Sequence, residues 1–328
     1  MIEIKFTQCH DIVPPEEFYG GYTHYMLKLT RKTHGGWLYG NLLPRDNIGI
    51  LPDALSACAV ASETVRAVMT ESGKISVFRL NDYLTRLDVQ AKRMGLPTID
   101  TELTSYGIRQ LLSLSRPYLA GGEALVHITL LSAETDINVY PAQEALLFVT
   151  VEKIQKAEMK EICVATSVDC PLASCHRYSR SLDFAVREGL YEAKKRGFDN
   201  VLWLDSVYNR YVDALAGMDA FFRIGDGVYH AGDGFFSDSV RRLMEGWGIT
   251  LYSDRVSVDF LLKEYNAGNF SEAFAVSTTC GVQPIASIDL GENTLKFGRH
   301  KLAKKLHDTI NGIVYCDHPD LYSWITRV

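Results

Sequence analysis

Ala220-Phe221-Phe222-Arg223-Ile224-Gly225-Asp226-Gly227-Val228-Tyr229-His230-Ala231 is the stretch on which the fold turns. Two short apolar runs flank Gly-Asp-Gly, the signature of a β-hairpin. A glycine-rich phosphate cradle joins a strand to a helix instead, so Gly225-Asp226-Gly227 reads as a turn. Working backward, Val201-Leu202-Trp203-Leu204 is a buried-type strand. The helix before it is capped by Ser181, runs to Arg196 and ends at Gly197. Working forward, Ser237 caps a helix with Val240, Leu243, Met244 and Trp247 on one face. A strand over 249–252, a Ser257-capped helix through Tyr265, a strand over 274–276 and a basic amphipathic helix over 296–311 follow.

The first half reads less regularly. Residues 1–36 show no clear pattern and are punctuated by Pro14-Pro15, Gly20-Gly21 and Gly35-Gly36. Residues 37–44 read as strand, turn, strand. Residues 62–69 alternate as a strand, Ser72-Gly73-Lys74 turns, and 75–78 returns. Asn81 or Asp82 caps a helix carrying Leu84, Leu87, Ala91 and Met94, stopped by Gly95 and Pro97. A helix over 103–116 and strands over 124–131 and 145–152 complete this half. A boundary near 132–142 gives an N-terminal extension (1–36), a small α/β domain (37–135) and a large domain (136–328). Strands and helices mix without a βαβ rhythm, which predicts an α+β fold over a Rossmann or TIM fold.

Composition narrows the class. The chain has 328 residues, 47% apolar and 23% charged, with a formal net charge of −6. These values are ordinary for a globular protein, and a general basic footprint for nucleic acid is absent. No apolar run approaches the roughly 20 residues needed to cross a bilayer, so no membrane partner is expected. The N-terminus lacks a basic segment followed by an apolar one and does not read as a signal peptide. Seven cysteines, widely spaced and without a C-x-x-C pair, read as reduced, mostly buried thiols of a cytoplasmic protein rather than zinc ligands.

Several catalytic motifs are missing. There is no P-loop, no G-x-S-x-G and no H-E-x-x-H, and the nine histidines are scattered. Three features carry chemistry. Ser277-Thr278-Thr279, past a strand and before Gly281, offers hydroxyls and backbone N–H groups that can bind phosphate oxygens. Arg66 lies within an apolar strand and needs an anionic partner, either a structural carboxylate or a bound phosphate. Asp213, between a strand and the hairpin, can accept a proton from a ring nitrogen, or it is a turn aspartate.

In this order the pieces resemble the class IV aminotransferases: branched-chain aminotransferase, D-amino-acid aminotransferase and aminodeoxychorismate lyase, the fold-type IV pyridoxal 5′-phosphate (PLP) enzymes. Ser62-Glu63-Thr64-Val65-Arg66 resembles F-E-T/G-I/V-R. Residues 78–87 resemble F-R-L-x-x-H-L-x-R-L. Glu192-Ala193 through Gly197-Phe198 resembles E-A-x-x-x-G-Y/F, and the strand after it matches 201–205. Met218-Asp219-Ala220-Phe221 resembles M-N-I/L-F, and Gly281-Val282-Gln283-Pro284-Ile285 resembles G-I-Q-P-V. The resemblance runs from about Trp37 to the C-terminus. It implies the two-domain D-amino-acid-aminotransferase-like architecture, with PLP in a cleft between domains, and a homodimer. It gives Arg66 and Ser277, Thr278 and Thr279 to the cofactor phosphate. Asp213 falls to the pyridine nitrogen, with a one-residue insertion before Met218. Residues 234–239 match G-I/V-T-R-D-S, with Phe236 and Ser237 in place of Thr and Arg.

One departure dominates. The family's Schiff-base lysine precedes the Glu192-Ala193 helix, and here the window Cys175-His176-Arg177-Tyr178-Ser179-Arg180-Ser181-Leu182-Asp183 holds none. The nearest are Lys160 and Lys194. Tyr178 or Arg180 takes the position, and the match of Arg180-Ser181-Leu182-Asp183 to K-S/T-L-N favours Arg180. A guanidinium stays protonated and forms no imine, and a phenol forms none. Ala124-Leu125-Val126-His127 matches A-Y-I/V-R, so Leu125 and His127 replace residues that shape the substrate pocket in branched-chain enzymes.

Three functions compete. The first is an enzyme that has left PLP–lysine chemistry and holds another anionic small molecule near Arg66, Arg180 and Ser277–Thr279, with His127, His176 and Tyr178 as acid–base candidates. The second is a non-catalytic homologue, a possible pseudoenzyme, that binds PLP without a covalent bond or serves as a partner protein. The third is an active aminotransferase with a lysine from an unexpected position.

Overall fold

The computed structural model describes residues 4–6, 22–31, 37–44, 60–70, 72–119, 122–132, 141–156, 158–167 and 181–328, with side chains from residue 60 onward except 181–185. The chain divides into two units. The first is Met1–Lys156 with Asn311–Val328, and the second is Ala157–Ile310.

The elements up to the division are β1 (Ile4–Phe6), β2 (Tyr22–Arg31), β3 (Trp37–Pro44), β4 (Val60–Met69), β5 (Ile75–Phe78), α1 (Leu80–Arg93), α2 (Thr101–Leu114), α3 (Arg116–Leu119), β6 (Glu123–Ser132) and β7 (Ala145–Ile154). Then come β8 (Ile162–Ser167), α4 (Ser181–Lys195), β9 (Asn200–Leu204), β10 (Val212–Leu215), β11 (Asp219–Ile224), β12 (Gly227–Ala231) and α5 (Phe235–Gly246). The last are β13 (Thr250–Tyr252), α6 (Val258–Asn266), β14 (Phe270–Ser277), β15 (Gly281–Asp289), β16 (Thr294–Lys296), α7 (Lys301–Val314) and β17 (Ile325–Arg327).

The first unit is built on a sheet ordered β1-β3-β2-β7-β6-β4-β5-β17, antiparallel except where β1 meets β3. Side chains alternate between its faces. The odd positions of β4 face α1, because Glu63 meets Arg86 and Gln90 there. Leu84, Leu87 and Ala91 of α1 and Ile108, Leu111 and Leu112 of α2 are buried with Val65 and Ala67. The even positions, Thr64 and Arg66, point the other way.

Four expectations change here. Within residues 1–36, β2 is no appendage: it sits inside the sheet, paired to β3 on one side and β7 on the other. Residues 37–44 form one strand, not two. The division falls after Lys156 rather than at 132–142, because β7 pairs with β6 along ten residues, Glu123↔Ile154 to Ser132↔Ala145. The final segment also returns to the first unit, where β17 pairs with β5. At the start of α1, neither Asn81 nor Asp82 is the cap. The cap is Arg79, left-handed at φ 54°, and its Nε pairs with Asp82 Oδ2 at 2.7 Å.

The second unit holds a sheet ordered β10-β9-β8-β15-β14-β11-β12-β13, with β16 beside β15. The β11–β12 hairpin pairs Ile224 with Gly227 and Ala220 with Ala231, as residues 220–231 predict. Gly225 takes φ 58° in the turn, a conformation glycine adopts without strain. β8, α4 and β9 form one parallel crossover, a βαβ unit the sequence reading did not anticipate. Ser257 Oγ caps α6 by accepting from Phe260 N at 3.1 Å. Ser237 is no cap: α5 begins at Phe235, with Gly234 at the N-cap. The helix expected over 296–311 starts later, at Lys301. Its first turn is capped from β14 by buried Glu272, which accepts from Leu302 N at 3.0 Å and Ala303 N at 2.7 Å.

Glu272→Ala leaves those two N–H groups buried without an acceptor. It is expected to cost about 1–3 kcal/mol in urea unfolding, with Glu272→Gln costing less because its oxygen still accepts.

Candidate functional site

In the first unit the sequence asks what neutralises Arg66. The register sets Arg66 opposite Leu125 and Val68 opposite Glu123, so Arg66 and Glu123 are diagonal neighbours on one face. Arg66 Nε donates to Glu123 Oε2 at 3.0 Å and Nη2 to Oε1 at 2.7 Å. The side chains are 1% and 0% exposed. Tyr315, just past α7, donates its hydroxyl to Glu123 Oε1 at 2.6 Å. Burial, then the Glu123 carboxylate, push that phenol well above its ordinary range. The anionic partner of Arg66 is thus a carboxylate of the chain itself, and two guanidinium nitrogens are committed to it.

One step along the same face lies His127. Its Nδ1 is 3.2 Å from Thr64 Oγ1, and its Nε2 is 2.8 Å from Glu152 Oε2. Glu152 escaped the sequence reading. It lies beside Leu125 in the β6–β7 ladder, which no local motif reveals. On the opposite face, Glu63 is buried between β4 and α1. Gln90 Nε2 donates to it, and Arg86 Nε lies 3.2 Å away. Burial pushes the Glu63 carboxyl up to about 7, against the pull of Arg86 and the Gln90 bond.

In the second unit, Asp205 at the end of β9 organises the loop into β10. Its carboxylate accepts from Tyr208 N at 3.0 Å, Arg210 N at 3.0 Å and Tyr211 N at 2.7 Å. Burial opposes its ionisation, but these bonds and Arg255 outweigh that and hold it below the usual carboxylate range. Past the loop, the β9–β10 register slips between Val212 and Ala214, so Asp213 is the extra residue of a bulge. A bulge is how a strand absorbs one inserted residue. Asp213 is half-buried there.

Ser277 ends β14 and Thr278 and Thr279 begin the turn to β15; Ser277 and Thr278 are half-buried and Thr279 is exposed. Ser277 Oγ accepts from Cys280 N at 3.0 Å and lies 3.2 Å from Thr279 Oγ1. The N-terminus of α5 is already engaged. Asp219 Oδ2 accepts from Gly234 N at 2.6 Å and from Ser237 Oγ. A Cβ on Gly232 would come within 2.1 Å of Asp219 Oδ1, so that position has no room for a side chain. Ser237 is thereby occupied inside the protein.

His176, Tyr178 and Arg180 lie outside the described residues. So do Cys9, Cys58, Cys170 and Cys175. Cys163 is half-buried and Cys280 and Cys316 are exposed, which departs from the expectation of mostly buried thiols. Lys160 and Lys194 are both exposed. Among the described residues no cluster of three metal-ligating side chains occurs, and no helix is long and apolar enough to cross a membrane.

A scan against models of protein families finds no match. Curated proteins similar in sequence include branched-chain-amino-acid aminotransferase 2 of Bacillus subtilis, 22% identical over 94% of this chain and 90% of that protein. The branched-chain-amino-acid aminotransferase of Mycolicibacterium smegmatis is 26% identical over 94% of this chain and 90% of its own. Among solved structures, the PLP form of the branched-chain aminotransferase of Thermobaculum terrenum superposes with a TM-score of 0.73 at 16% identity. It covers 94% of this chain and 99% of that one. The fold is therefore that of these enzymes.

Two outcomes are expected. Arg66→Ala, which strands the Glu123 charge, costs about 3–5 kcal/mol of unfolding free energy, whereas Tyr315→Phe costs about 1–3 kcal/mol. Glu63 keeps its proton in the folded chain while the unfolded chain, near 4.5, has lost it. Its contribution is full below pH 4.5 and is lost as pH rises through about 7. Relative to Glu63→Gln, the natural chain should lose up to about 3 kcal/mol across that window in denaturant titrations at each pH.

Proposed function

We propose that this chain, which belongs to the class IV aminotransferase family, binds an anionic small molecule where its relatives hold PLP and does not act as an ordinary transaminase. The observation that carries this reading is the lysine-free window from Cys175 to Asp183. PLP bound to a lysine lets that amine grip the aldehyde and shuttle a proton at the reacting carbon. Neither Arg180 nor Tyr178 can form the imine. The exposure of Lys160 and Lys194 supports the reading further, because an imine-forming amine is activated by a desolvated or cationic setting.

Of the residues that the resemblance assigns to PLP, some suit it and others are already engaged within the chain. The Ser277–Thr279 turn carries three hydroxyls of the kind that bind a phosphate, with Ser277 Oγ already accepting from Cys280 N. The bulged Asp213 offers a carboxylate suited to a ring nitrogen. Arg66 is committed to Glu123, and Ser237 to Asp219. The window from Cys175 to Asp183 supplies no lysine for the aldehyde. The ligand is better described as a phosphate-bearing or otherwise anionic small molecule, held without a covalent bond. A homodimer is the assembly the family implies.

A second reading is an active branched-chain aminotransferase with a lysine from another part of the chain. The similarity to branched-chain enzymes over 94% of the chain favours it. The two part cleanly. Purified protein mixed with PLP, reduced with borohydride and digested, should yield no pyridoxyl-lysine peptide, and Arg180→Lys should create one. A pyridoxyl-lysine in the natural chain would establish the second reading.

A further inference from the structure

Gln283 is a buried polar side chain whose hydrogen-bonding capacity the fold uses almost completely. It stands on β15 opposite Ala275 of β14, two residues past the turn that Ser277 and Gly281 close. Its Oε1 accepts from Lys160 N at 2.6 Å. Its Nε2 donates to Cys280 O at 2.7 Å and to Glu158 O at 3.1 Å. The amide can stand only this way round, because a backbone N–H only donates and a backbone carbonyl only accepts. The parallel pairing of β15 with β8 starts at Ile285 and Ile162. Pro284, the residue before, has no N–H to give. The Gln283 amide therefore continues the contact ahead of β8 as a peptide group would, and its third bond fastens the turn.

We infer that Gln283 is the positioning residue of the Ser277–Gly281 turn and sets the affinity of that turn for a phosphate group. The inference rests on the proposed reading of this turn as the phosphate contact of the anionic ligand. Two features act within the hairpin itself. Ser277 Oγ accepts from Cys280 N at 3.0 Å, and Gly281 takes φ 66°. Gln283 ties the Cys280 carbonyl to Glu158 and Lys160, which lie outside the hairpin. A phosphate held by hydroxyls and backbone N–H groups needs those donors in place beforehand, because ordering them on binding subtracts from affinity. Gln283 works through the turn and not by touching the ligand.

The test titrates the full chain calorimetrically with pyridoxamine 5′-phosphate, which carries a phosphate but no aldehyde, and uses inorganic phosphate as competitor. Amide hydrogen exchange of the peptide over Ser277–Gly281 is read separately, without ligand. Gln283→Ala should speed that exchange and weaken binding, each about tenfold, as expected for the loss of one hydrogen bond. Gln283→Glu keeps an acceptor for Lys160 N and loses both donations, so it reads the same two quantities should the alanine variant not fold. Its deficit against the natural chain should shrink as pH falls, because a protonated carboxyl donates again. A side chain that only filled space would show no such recovery. Turn exchange or affinity that stays at the natural value in these variants overturns the inference. A natural chain that binds neither probe overturns it differently, by removing the phosphate reading of the turn on which it rests.

Discussion

A guanidinium and a carboxylate, both sealed from water, set the terms for the first unit. Removing Arg66 and Glu123 from solvent costs several kcal/mol per ion, and attraction offsets this only when geometry is good and every remaining polar group is bonded. Here the geometry is good. The pair is bidentate, and Tyr315 supplies a further donor to the same carboxylate. The partners lie 57 residues apart and the phenol 192 residues further on, so one node ties β4, β6 and the returning C-terminal segment together. It also fixes register, since a one-residue slip would move the charge to the face packed against α1.

The same node limits what the site can do. Arg66 is the cation one would choose on sequence grounds to meet a phosphate, and its charge is used within the protein. The α5 N-terminus behaves alike, because Asp219 occupies the amide and hydroxyl that would meet an anion there. In the turn after β14, Thr279 is exposed. The fold is that of the aminotransferases, and here the Arg66 charge is met within the chain.

Local chemistry made part of this legible. Gly225-Asp226-Gly227 announced the hairpin because a tight turn needs such residues, and Ser257 announced α6 through its hydroxyl. The bulge at Asp213 follows from a register slip that no local motif announces. Pairing at long range stayed hidden. Leu27 and Leu29 alternate with Lys28 and Thr30, but that alternation cannot say that β2 pairs with β7, more than a hundred positions on. Glu123 and Glu152 gain meaning only through the ladders that set them beside Arg66 and His127. Ser237 looked like a cap because it precedes a helical pattern, yet an aspartate two elements earlier claims its hydroxyl.

The lysine-free window from Cys175 to Asp183 predicts that this chain holds no aldehyde covalently. A crystal structure grown with excess PLP tests it most directly. The account predicts Arg66 still bonded to Glu123 and no density linking a lysine Nζ to C4′ of the cofactor. Continuous density between such an Nζ and C4′ would contradict it.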